Sequence, residues 1–156
     1  MRLQPLRDAV ASRHTHSVVA IVAAIVWLAA AAFAQSGEIY KVHLSPVPMD
    51  PSMVATVAGS GSLTATLRGK KLTITGTFAG LKSPATEAHI HHGPKAVRGP
   101  AILDVPVPGA TSGTINASIE LTPEQIDDLR SDSLYIQISS QGAPSGNLWG
   151  WLLRQK

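Results

Sequence analysis

The chain of 156 residues contains no cysteine. That removes disulfides, thiolate metal sites and cysteine nucleophiles together. It also removes a lipid-modified cysteine near the N-terminus. No Gly-x-Ser-x-Gly elbow marks an activated serine among Ser139, Ser140 and Ser145. Gly59-Ser60-Gly61-Ser62 lacks the lysine and the strand-to-helix context of a phosphate-cradling loop. No basic cluster exceeds Lys70-Lys71, which reads as a solvated turn. There is no repeat of fixed period.

One long apolar run is present, and it lies at the start. Met1 to Ser17 carries Arg2, Arg7 and Arg13 against Asp8, and Val18 to Ala34 follows without a charge. The run ends in Ala32-Phe33-Ala34, small residues at the two positions a signal peptidase reads. Residues 1–34 are therefore expected to be a secretory signal peptide, with Gln35 opening the mature chain. The alternative is a retained N-terminal anchor helix, because 17 apolar residues reach the short end of a bilayer span. Either way the remainder is expected to be secreted or periplasmic, touching a membrane only through residues 18–34 if these are kept. The formal charge of +3 falls to about +1 once the leader's three arginines and one aspartate are set aside. Basicity is then no argument for a nucleic-acid partner.

Residues 35–156 are the size of one domain. Period-2 alternation dominates them. Tyr40, Val42 and Leu44 alternate with Ile39, Lys41 and His43. Leu63, Ala65 and Leu67 alternate with threonines and Ser62. Leu72, Ile74 and Phe78, then Ile115, Ala117 and Ile119, then Leu134, Ile136 and Ile138 do the same. Each reads as a strand with one apolar and one polar face. Arg68-Gly69-Lys70, Pro108-Gly109-Ala110 and Gly142-Ala143-Pro144 read as turns. The spacing predicts an all-β fold, an antiparallel β-sandwich of Greek-key type. One short helix is predicted over Thr122–Arg130. Thr122 is its N-cap, Pro123 its first residue, and Gln125 completes a capping box. Three prolines within Pro46–Pro51 exclude a central strand and predict an extended surface loop, an edge or recognition segment.

The chemistry-bearing segment is Ala88-His89-Ile90-His91-His92-Gly93-Pro94. His89 and His91 project from one face of a strand, and Ile90 from the other. Two imidazoles on a rigid face are the start of a copper or zinc site, with His43, His92, Glu87 or Asp104 as candidates to complete it. The competing reading is a polar network in which the pair holds the Gly93-Pro94 turn. On the last strand Trp149 and Trp151 share a face. Exposed, they would form an aromatic platform for a protein or glycan partner; otherwise they belong to the core.

The order of segments resembles the CHRD domain, named after chordin. The resemblance is carried by Gly76-Thr77-Phe78-Ala79-Gly80-Leu81, the histidine strand, Gly99-Pro100-Ala101, Gly113-Thr114-Ile115, Leu134-Tyr135-Ile136-Gln137-Ile138, Pro144-Ser145-Gly146 and Gly150-Trp151-Leu152, over about residues 38–154. It implies an extracellular β-sandwich without an established enzymatic activity or cofactor, associated in animals with binding secreted signalling proteins. The chain departs from the pattern at its end. Members often have a histidine where Ser139 stands and a Gly-Glu-Ile-Arg-Gly-like strand where Gly146–Trp151 stands, with Asn147 and Trp149 at the Glu and Arg positions. A weaker resemblance joins the Gly-Leu turn and His-x-His strand to the copper site of Cu/Zn superoxide dismutases. It implies the alternative function, metal binding through His89 and His91. The first expectation is a non-enzymatic binding or structural module outside the cytoplasm.

Overall fold

A computed structural model describes residues 37–156. The signal or anchor segment expected over residues 1–34 lies outside the described residues. The elements are β1 (Glu38–Pro46), β2 (Ser60–Arg68), β3 (Lys71–Ala79), β4 (Ala85–His92), β5 (Ala101–Asp104), β6 (Gly113–Glu120), α1 (Pro123–Arg130), β7 (Leu134–Ser140), β8 (Ala143–Trp151) and β9 (Leu153–Arg154).

All pairings are antiparallel, in the order β5-β4-β7-β8-β1-β2-β3-β6, with β9 beside β1. The sheet curls because β1 serves both halves. Glu38–Leu44 pair with β2, whereas Ser45 and Pro46 pair with Trp149 and Leu148 of β8. Gly150 makes that crossing possible, since a side chain there would meet the His43 carbonyl oxygen at 2.4 Å. The β2–β3 hairpin closes on two residues, and Gly69 takes the first with φ +60°, a left-handed position that favours glycine.

The alternating apolar residues meet inside the curl. Val42, Leu44, Leu63, Ile74, Phe78 and Ile115 from one half pack against Ala88, Ile90, Leu134, Ile136, Ile138 and Leu148 from the other. Each such side chain contributes about 1.5–3 kcal/mol on burial. The chain passes from β6 to β7 through α1. Thr122 Oγ1 accepts from Gln125 N at 3.2 Å and Gln125 Oε1 accepts from Thr122 N at 2.9 Å, closing the capping box. Ile126 and Leu129 turn into the core. Among the described residues no helix is long and apolar enough to cross a membrane.

Candidate functional site

The face of β4 opposite Ile90 carries His89 and His91. Ladder pairing carries that face across the half-sheet. His91 lies opposite Tyr135 and Tyr135 opposite Trp151; His89 lies opposite Gln137 and Gln137 opposite Trp149. Side chains directly opposed in a sheet stand on the same side, so these residues form two rows. The aromatic rings join into one ladder. His91 stacks on Tyr135 at 4.9 Å between centroids, Tyr135 meets Trp151 at 4.8 Å, and Trp151 meets Trp149 edge-on at 4.8 Å.

Two loops fold over this ladder. The loop from Gly93 to Pro100 is pinned by its polar atoms. His91 Nδ1 donates to the Gly99 carbonyl at 2.9 Å, Gly99 N donates to Tyr135 Oη at 3.0 Å, and Trp151 Nε1 donates to the Gly93 carbonyl at 3.2 Å. Arg98 reaches the Ser145 carbonyl at 2.7 Å. From the other side, Val47, Met53 and Val57 pack on the tryptophans. Asn147, wholly buried, donates to the Ala58 carbonyl at 2.6 Å and accepts from Ser140 Oγ at 3.2 Å.

The exposed indole platform is therefore not formed. Trp149 and Trp151 retain only 7% and 9% of their exposure, because Val47, Met53 and Val57 add a second apolar layer on a face that alternation alone leaves open and the Gly93–Pro100 loop is bonded over it. The proline-rich segment also differs from a free surface loop. Val47 is buried and its N–H bonds the Asn147 carbonyl, while Pro48 to Pro51 stay exposed.

The metal candidates are brought together only in part. Strand pairing sets His89 opposite Asp104, with Nε2 to Oδ1 at 3.3 Å. The rings of His89 and His91 stand edge to face at 6.0 Å. His92 leaves the pair: as the last residue of β4 it projects to the other face and sits 3.5 Å from Asp128 of α1. His43 is exposed on β1, paired with Ser62. Glu87 is exposed on β4, beside a register shift. Among the described residues no three histidine, aspartate or glutamate side chains are grouped to hold a metal ion. The ring of His91 nevertheless leaves Nε2 buried and without a partner. With Nδ1 donating to a carbonyl, that nitrogen is a bare acceptor.

Sequence reasoning misses Tyr135, Asn147, Gln137 and Asp128. Tyr135 and Gln137 carry a signal, since they alternate with the apolar residues of β7. Asn147 and Asp128 carry none, because their partners lie far away in the chain.

The family model for the CHRD domain matches residues 40–152, from β1 to the residue after β8. No curated protein and no solved structure matches the chain. The match takes in both half-sheets, the histidine strand, the helix and the aromatic ladder, and the chain belongs to the CHRD domain family.

Proposed function

We propose that this chain is an exported, non-catalytic binding or structural module acting in the periplasm or outside the cell, with a protein or glycan as its partner. The CHRD match over residues 40–152 is the observation that carries this reading. The charged segment and apolar run ahead of the domain support export. The chemistry of the histidine face supports a structural role there: His91 Nδ1, the Tyr135 hydroxyl and Trp151 Nε1 all bond the backbone of the Gly93–Pro100 loop. The test is fractionation of cells expressing the full chain with a C-terminal alkaline phosphatase, which is active only after export. Phosphatase activity outside the cytoplasm is expected, and N-terminal sequencing of the product separates cleavage after Ala34 from a retained anchor. An inactive, cytoplasmic fusion overturns the reading.

One observation favours a second reading, binding of copper or zinc at His89 and His91. A histidine whose Nδ1 donates to a carbonyl while Nε2 stays free has the arrangement of a metal ligand with its supporting contact. Water or an outside ligand would have to complete the coordination. Calorimetric titration of Cu(II) and Zn(II) into the purified chain decides it. Stoichiometric binding that disappears in the His89→Ala/His91→Ala variant supports a metal protein, and heat that persists in the variant removes it.

A further inference from the structure

The two halves of the curled sheet end in very different edges. On one side β5 has four residues, flanked by Pro100 and Pro106, and its pairing with β4 is broken by a register shift. Shortness, proline and irregularity are the means by which proteins blunt an edge. On the other side β6 has eight residues, Gly113–Glu120, in unbroken register with β3, without proline and without lysine. Leu121 N donates to the Lys70 carbonyl, which fixes the phase of that ladder. Bonded pairs recur at every second residue of an antiparallel ladder. Ile119, Ala117 and Ile115 therefore bond to β3. The N–H and C=O groups of Thr114, Asn116, Ser118 and Glu120 aim away from it, and β3 is the one strand paired with β6 among the described residues.

That edge does not open on bare solvent. A groove of about 670 Å³ runs between it and the opposite half. One wall is Asn116-Ala117-Ser118-Ile119 of β6, and the other is made by Thr86-Glu87-Ala88-His89 of β4 with Asp104-Val105-Pro106-Val107 beside it. Four consecutive residues of β6 line the groove, so it meets that strand along its backbone, not along one face. Val107 and Ile119 are half-buried and pack on the core, giving an apolar floor. Glu87 and Asp104 are exposed among the lining residues, His89 stands 3.3 Å from Asp104, and no lysine or arginine lines the groove.

We propose that this groove takes an extended peptide segment of a partner protein, with apolar residues alternating with lysine or arginine, which adds to β6 as a further strand. The outward amides and carbonyls supply main-chain pairing. The apolar side chains face Val107 and Ile119, and the basic ones face the carboxylates of Glu87 and Asp104. Strand addition of this kind draws its affinity from the backbone and its specificity from alternate side chains. The proposal rests on the reading of the chain as a binding module and gives that module its surface.

The probe is the dye-labelled peptide Ac-KVKVTVK-NH2, titrated into the full chain at low salt and read by fluorescence anisotropy. Saturable binding below ~1 mM is expected. Methylating every interior backbone nitrogen of the peptide removes its main-chain donors in either strand direction without changing charge and should weaken binding at least about tenfold, as should glutamate in place of lysine. Ser118→Pro removes one outward amide and leaves the ladder to β3 intact; it should weaken binding by a similar factor, and Asp104→Lys/Glu87→Lys should do so without touching β6. Absence of saturable binding overturns the proposal, as does equal binding of the methylated or glutamate peptide. A concentration-dependent dimer that Ser118→Pro abolishes would overturn it in favour of a second copy of the chain on β6. Export is measured without reference to β6. An exported chain that ignores the peptide removes the groove alone, and a cytoplasmic chain that binds it removes the location alone.

Discussion

The two halves of the curled sheet are built on opposite rules. In β2, β3 and β6, buried residues alternate with exposed or half-exposed ones, and the outward threonines and serines meet water. In β7 all seven residues are buried, and in β8 every residue from Gly146 to Trp151 is. The difference does not come from the strands' inner faces, which share one hydrophobic core. It comes from what lies outside. Among the described residues the first half has no cover, whereas the second has loops on both flanks and a ladder of four rings beneath them. The half-sheet with the wet outer face also ends in a long edge strand, β6, which pairs with β3 alone among the described residues. A half-sheet with a dry outer face uses its aromatic and histidine side chains on its own loops.

The largest test of this contrast is truncation on each outer face. Trp151→Ala removes a large ring from the second layer and leaves the Gly93 carbonyl without its donor. A loss of about 3–5 kcal/mol is expected, as for a core aromatic. Thr75→Ala, on the wet face of β3, should cost under about 1 kcal/mol. Urea unfolding of the two variants measures both. Similar small costs would mean that the loops over β7 and β8 are decoration and not a layer of the core.

The period-2 pattern makes the inner faces legible from the amino-acid order alone. It places Tyr40, Val42 and Leu44 inside, assigns His89 and His91 to one side of their strand, and sets Trp149 and Trp151 on a common face. The helix is legible for a different reason: Thr122, Pro123 and Gln125 are local, and a capping box needs no tertiary partner. The environment of the indoles is not legible. Alternation says which side chains share a face, and says nothing of what covers it. Their cover comes from Val47, Met53 and Val57, about a hundred residues earlier in the chain. Distance in sequence likewise hides the joining of Asn147 to Ala58 and of His92 to Asp128.

A sharper test addresses how that cover is fastened. Asn147 is the buried link between β8 and the Val47–Ala58 loop. Asn147→Ala leaves the Ala58 carbonyl and the Ser140 hydroxyl unsatisfied, at a cost of about 1–3 kcal/mol. The loss should be local as well as global. Amide exchange should accelerate across residues 48–58 while β2 and β3 stay protected. Uniform acceleration would show that the loop and the strands open as one unit.

The smallest expected effect concerns β1, the strand common to both halves. Tyr40 is wholly buried, and its hydroxyl donates to Glu38 Oε2 at 2.9 Å. Burial, then the bond to Glu38, pushes the phenol up to about 12. The Arg130 guanidinium, in a hydrogen bond with Oε1 at 2.6 Å, holds the Glu38 carboxyl below the ordinary carboxylate range. The signs follow from which form the folded state prefers. For Tyr40 the folded state prefers the neutral phenol. Its contribution is complete below the unfolded value of roughly 10 and is lost as pH rises towards about 12. For Glu38 the folded state prefers the carboxylate. Its contribution is present above roughly pH 4.3 and is lost as pH falls through the depressed folded value. The stability gap between the native chain and Tyr40→Phe should therefore shift between pH 10 and 12, to the disadvantage of the native chain. The gap to Glu38→Gln should close on the acid side. Urea midpoints measured across both ranges check the two arms separately. An acid arm without an alkaline one would leave the ion pair with Arg130 at work on the surface and remove the buried phenol from the linkage between the two halves.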